Sequence, residues 1–250
     1  MAEYLFVFIF GLMIGSFLNV CIYRLPLGQS IVFPPSHCFT CHTRLRSLDL
    51  IPVISYVALR GRCRTCGSAV SLRYPFIELL TGSLFCLCLQ RFGWTIDLAF
   101  ALVFTAFLIV ITLIDYDCQL ILDKVLLIFA ASALFVGLFS VTTVDWPDKL
   151  LAAVASGALL LIIAVVSRGG MGGGDIKFVT VLGLWLGALG MTETLLLAFI
   201  LGGLGGVLLL ATGLKSRKDA IPFGPFLCAA ALICYLYGQE LLFWYLNHFS

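Results

Sequence analysis

Four cysteines stand as two pairs, Cys38-x-x-Cys41 and Cys63-x-x-Cys66, with 21 residues between the pairs. Each Cys-x-x-Cys knuckle can point two thiolates at one ion, and two knuckles complete the tetrahedral sulfur shell that structural Zn²⁺ favours. His37 and His42 adjoin the first pair as further donors, but four sulfurs already fill the shell. A closed shell leaves no position for an activated water, so the metal reads as structural and not hydrolytic. Two disulfides are the competing reading, and the choice depends on whether the segment faces a reducing or an oxidising compartment. The other six cysteines, Cys21, Cys86, Cys88, Cys118, Cys228 and Cys234, lie in or beside apolar runs and read as space-filling.

A second set of candidates is acidic. Asp115 closes one apolar run in Leu113-Ile114-Asp115-Tyr116-Asp117, and Asp175 opens another in Gly170-Met171-Gly172-Gly173-Gly174-Asp175-Ile176-Lys177. Carboxylates at the ends of apolar segments are costly and mark a function or a water-filled cavity. Two of them a few ångströms apart cannot both ionise easily; they share a proton and divide into an acid and a base, which is what adding water to a peptide bond requires. Gly172 and Gly174 suit an active-site loop because a chain without side chains can bend sharply and let a substrate backbone approach. The competing reading is a helix-entry turn with Asp175 as its cap. Asp117 and Asp123 could also partner Asp175, or serve as solvated loop acids, with Asp123 favouring the start of the next helix. Glu78, beyond Arg73-Tyr74-Pro75, could pair with an arginine or contact a ligand.

The elements that must hold these residues are apolar helices. The chain has 250 residues, 62% of them hydrophobic and 11% charged, with a mean hydropathy of +1.12. Such a composition belongs in a bilayer, where a spanning helix needs about 20 apolar residues. Eight candidate spans lie near 4–22, 75–90, 95–115, 122–140, 149–166, 176–191, 193–213 and 221–247, the sixth and seventh separated by a break at Gly190. The expected fold is an all-α polytopic membrane protein with a small zinc-binding cytoplasmic loop domain. Residues 1–22 form the first helix, 23–74 the loop and 75–250 the remaining helices.

Cytoplasmic loops retain Lys and Arg. With 23–74 inside, Arg24, Arg44, Arg46, Arg60, Arg62, Arg64, Arg73, Lys124, Arg168, Lys177, Lys215, Arg217 and Lys218 fall on the cytoplasmic side, and only Arg91 and Lys149 outside, a division of 13 to 2. Both termini are then outside, both aspartates reach the cytoplasmic face, and the reducing compartment favours zinc over disulfides. The first apolar run lacks a basic start and a small-residue cleavage site, so it reads as a retained helix. A net charge of +2 gives no reason to expect nucleic acid as a partner.

Together these features resemble the type IV prepilin peptidase family of membrane aspartyl proteases. The resemblance runs through Gly15-Ser16-Phe17-Leu18-Asn19-Val20, Arg24-Leu25-Pro26, the four-cysteine loop with Ile51-Pro52 and Arg60-Gly61-Arg62-Cys63, Arg73-Tyr74-Pro75, Glu78-Leu79-Leu80-Thr81-Gly82, both aspartate segments and Ile221-Pro222-Phe223-Gly224-Pro225. It implies that Asp115 and Asp175 are the catalytic pair, that prepilin or pseudopilin precursors are cut after a glycine at the cytoplasmic membrane face, and that the new N-terminus is methylated from S-adenosylmethionine. Gly61 and Glu78 are the residues to associate with methyl transfer, and the bacterial inner membrane is the implied location. One departure is visible: Ile121-Leu122-Asp123 stands where the family usually shows a proline before the aspartate. The alternative function is a transporter or channel with Asp115 and Asp175 as a proton or ion relay.

Overall fold

The computed structural model describes residues 1–139, 145–168, 170–213 and 221–249. Lys215, Arg217 and Lys218 of the charge division lie outside the described residues. Among the described residues every regular element is helical: α1 (Ala2–Arg24), a 3₁₀ turn (Ser47–Leu50), α2 (Ile54–Ala58), α3 (Arg73–Phe92), α4 (Ile96–Cys118), α5 (Asp123–Phe139), α6 (Trp146–Val166), α7 (Gly173–Ala211) and α8 (Gly224–Phe249). Six of them, α1, α3, α4, α6, α7 and α8, are long and apolar enough to cross a membrane. Helix α5 is apolar throughout but has 17 residues.

Helical segments occupy the positions of all eight expected spans once α7 is read as two, although six helices have the length and hydropathy of a span. The 39 residues of α7 would extend about 58 Å as one helix, nearly twice the hydrocarbon thickness. The break falls at Gly187, with φ 69° and ψ −179°, and not at Gly190, which stays helical. Only glycine tolerates that backbone geometry without strain. The next amide, Ala188 N–H, is satisfied by Asp148 Oδ2 at 2.9 Å, so a carboxylate from the start of α6 caps the second half of α7.

Two compact units divide the chain, Met1–Val110 and Ile111–Ser250. In the first, α1 packs antiparallel to α3 along a seam of small residues: a Cβ at Gly11 would lie 2.6 Å from the Gly82 Cα, and one at Gly15 would lie 2.8 Å from the Glu78 Cα. Backbones this close gain dispersion contacts in a solvent where the hydrophobic effect does not drive helix pairing. Asn19 closes the seam, its Nδ2 donating to the Tyr74 carbonyl at 3.2 Å. In the second unit α6 and α7 pair in the same way at Ala153 and Gly183. Trp185 of α7 donates its Nε1–H to the Phe129 carbonyl of α5 at 3.2 Å and stacks on the Phe129 ring.

Candidate active site and metal-binding loop

Asp115 lies one turn before the end of α4 and is 6% exposed. Its Oδ2 accepts a 3.0 Å hydrogen bond from the Gly224 amide at the start of α8. Pro225 follows, and the first amides of a helix have no partner within the helix, so the Gly224 N–H is free to serve the carboxylate. A Cβ at Gly224 would collide with Oδ2. Gly224 is not among the site residues expected from the sequence; a glycine before a proline at the head of an apolar run is its only local signal.

Asp175 sits in the first turn of α7, whose N-cap is Gly172. Its amide donates to the Gly172 carbonyl at 3.1 Å, a tight turn that brings Gly172 beside the carboxylate. A Cβ at Gly172 would stand 3.2 Å from Asp175 Oδ2, and one at Gly174 would stand 3.0 Å from the Ile121 side chain. Asp115, Asp175 and the whole 172–174 glycine run line one cavity of about 560 Å³. The cavity belongs to the second unit alone, so both expected acids and their glycines meet in one place.

The remaining acids take different positions. Asp123 is 70% exposed at the cavity rim and holds Lys177 Nζ through both oxygens, at 2.8 and 2.9 Å. It is also the first residue of α5, where a carboxylate complements the helix dipole. The turn before it forms without proline: the Leu122 carbonyl accepts from the Val125 and Leu126 amides. Asp117 does not line the cavity.

The four cysteines converge. The Sγ atoms of Cys38, Cys41, Cys63 and Cys66 all lie within 4.8 Å of one another, and Cys38 and Cys66 are 3.8 Å apart. Zn–S bonds of about 2.3 Å set at tetrahedral angles separate sulfurs by about 3.8 Å, so this donor set fits zinc. The two knuckles are alike: the Cys38 amide donates to the Thr43 carbonyl and the Cys63 amide to the Ser68 carbonyl, each closing a short antiparallel bridge. The Cys41 backbone, then the Ser68 hydroxyl, pull the Cys38 thiol down to about 5, and the Ser68 hydroxyl lowers Cys66 as well. Thiolates are the form a metal binds. The His37 and His42 rings lie beside each other, tilted by 33° with centroids 5.9 Å apart, outside the sulfur cluster. Asp49 ties the knuckles' flanks together, accepting from Arg64 Nε at 2.8 Å and from the Arg46 amide at 3.3 Å.

Helix α2 connects the last two candidates. Gly61 has φ +66°, and a Cβ there would lie 2.7 Å from the Tyr56 hydroxyl, which itself donates to the Val70 carbonyl at 3.2 Å. At the other end of α2, the Val53 amide donates to Glu78 Oε2 at 2.8 Å, and the Ser16 hydroxyl also meets this carboxylate. Glu78 is 7% exposed and takes backbone and hydroxyl partners in place of the arginine that the sequence allowed. Val53 has φ +59°, a strained conformation for a β-branched residue.

Residues 9–92 match the family model described as the bacterial peptidase A24 N-terminal domain, and residues 102–207 match the type IV leader peptidase family. Over 244 residues the chain is 36% identical to a prepilin leader peptidase/N-methyltransferase of Bacillus subtilis, covering 96% of both chains. The chain belongs to the type IV leader peptidase family. Further members with the same description come from Pseudomonas putida, 36% identical with 93% of this chain and 90% of that one covered, and from Legionella pneumophila, 34% identical with 98% and 95% covered. No solved structure matches. The two family models meet this leader peptidase chain on either side of residues 93–101, the first covering the cysteine loop and Glu78, the second covering both aspartates.

Proposed function

We propose that this type IV leader peptidase cleaves the basic leader from prepilin or pseudopilin precursors and then methylates the new N-terminal amine. The observation that carries the first half is the shared cavity of Asp115 and Asp175 with its glycine-lined wall. One carboxylate, ionised, takes a proton from water as the water oxygen bonds the scissile carbonyl carbon. The other, protonated, donates to the carbonyl oxygen. Collapse of the tetrahedral adduct breaks the C–N bond, and the departing amine takes up a proton. The Gly224 amide, bonded to Asp115, fixes the orientation of that carboxylate. The glycines at 172 and 174 leave room for an extended substrate backbone beside the carboxylates.

The methyl-transfer half rests on the relatives' names. S-adenosylmethionine, when bound, would supply an electrophilic methyl carbon to the freed amine, leaving as the thioether while the amine gives up one proton. We assign the 23–74 loop to this half, with Gly61 and Glu78 at either end of α2, and the helices of 75–250 to the peptidase. Zinc at Cys38, Cys41, Cys63 and Cys66 orders a loop too small to build its own core. The 13-to-2 division of basic residues supports a multi-pass inner-membrane enzyme with the metal knuckles in the cytoplasm and both termini outside. The matched relatives are peptidases and methyltransferases by name, which favours hydrolysis over an ion relay through the two aspartates.

The direct test is incubation of the purified enzyme with a leader-bearing pilin peptide, with and without S-adenosylmethionine, read by mass spectrometry. Cleavage in both samples and a 14 Da gain only with the donor (the mass of one added CH₂) is the expected result. An intact peptide under both conditions would overturn the reading.

A further inference from the structure

The antiparallel register of α1 and α3 fixes the depth of every residue in that pair. Gly11 meets Gly82, Gly15 meets Glu78, and Asn19 meets Tyr74. Glu78 is five residues into α3, which places it about 7.5 Å inside the helix end at Arg73. Gly15, at the same level, is nine residues and about 13 Å from Arg24 at the end of α1. The Val53 amide bonds Glu78 Oε2 at 2.8 Å, so Val53, in the middle of the polar segment, lies within one glutamate side-chain length of that level.

Three features suit the residues around Val53 to a medium without water. Pro52 has no N–H to satisfy. Most of the amides nearby, those of Val53, Ile54, Ser55, Val57 and Leu59, are bonded within the protein, which suits a backbone in hydrocarbon. Ile54 and Val57, one turn apart on one face of α2, are 65% and 68% exposed, whereas Tyr56 turns back to Gly61 and the Val70 carbonyl.

We propose that Pro52–Ala58 is a re-entrant element: it leaves the aqueous metal knuckles, docks on Glu78 inside the span and presents Ile54 and Val57 to lipid acyl chains. The partner is the bilayer itself. Glu78 is then the clamp that sets the depth of the metal-binding loop, and the unusual backbone at Val53 is the geometry needed to reach it. This inference rests on α1 and α3 as membrane spans and not on either enzymatic activity.

The test replaces Ile54, Val57, Thr65 or Leu127 singly with a photoreactive benzoylphenylalanine in the full chain, reconstituted in phosphatidylethanolamine and phosphatidylglycerol vesicles without any pilin peptide. Leu127, 73% exposed on apolar α5, is the lipid-facing control, and exposed Thr65 in the second knuckle is the aqueous one. Illumination should give lipid adducts at positions 54 and 57 in yields comparable with position 127, and few at 65. Glu78→Ala should lower the yield at 57 towards that at 65, while Glu78→Gln, which keeps an acceptor oxygen, should hold it. Adducts at 127 without adducts at 54 and 57 overturn the proposal. So do adducts at 54 and 57 that form only with an added pilin peptide, since the face would then be a substrate dock.

Discussion

The amide of Gly224 donates a 3.0 Å hydrogen bond to Asp115 Oδ2 across 109 positions of sequence. Helix α8 thereby orients a carboxylate carried by α4. A Cβ at residue 224 would occupy the space of that oxygen. Gly224→Ala should therefore reduce leader cleavage by about 10- to 100-fold through loss of carboxylate alignment. Methylation of a peptide supplied already cleaved should be unchanged. Separate assays of the two reactions on the purified variant check this.

The sulfur cluster predicts one zinc per chain. Cys63→Ser leaves three thiolates, and the segment between α1 and α3 should lose order, because the metal contributes folding energy that its small apolar content cannot replace. Elemental analysis of protein purified without chelator should fall from one zinc to near none in the variant, with new protease cleavage confined to residues 25–72.

Asp49 braces the loop independently of the metal. Its carboxyl is held below the ordinary carboxylate range by the hydrogen bond from Arg64. A depressed value means that the contribution is present above the unfolded value near pH 3.9 and is lost as pH falls through the lower, folded one. Asp49→Asn should speed proteolysis of the loop at pH 5 to 8, and the difference from the parent should shrink below about pH 4. A difference that grows on acidification would contradict the bracing role.

Gly61 combines φ +66° with a close approach to the Tyr56 ring. A leucine there meets both backbone strain and a collision, and α2 must shift. Gly61→Leu should lower methyl incorporation at least tenfold, a loss of about 1.4 kcal/mol or more in transition-state stabilisation, with cleavage retained. Equal losses in both reactions would assign the loop to leader binding.

Much of this was legible in the sequence because the signals were local. The Cys-x-x-Cys pairs carry their own knuckle geometry, and a glycine run before an aspartate marks a helix start whatever follows. Span boundaries were soft where apolar runs abut: nothing local distinguished Gly187 from Gly190 as the break, and the decision came from Asp148, about 40 residues away, capping Ala188. Gly224 and Val53 were missed for the same reason. Each donates a backbone amide to an acid on another helix, a relationship that no spacing rule encodes. The absence of proline at Leu122 mattered little, since its carbonyl closes the first turn of α5 in any case.

The central claim is that Asp115 and Asp175 work as a pair in one cavity. Asp175→Asn and Asp115→Asn keep the side-chain shape while removing a carboxyl that can take up and release a proton, so neither variant can complete water attack. The decisive measurement is the rate of leader removal from a pilin precursor by each variant in vesicles, alongside methylation of a pre-cleaved peptide by the same preparation. Cleavage should fall by about 10³-fold or more in both, and methylation should persist as evidence that the protein is folded. Parental cleavage by either variant, with methylation intact, would contradict the aspartate-pair account.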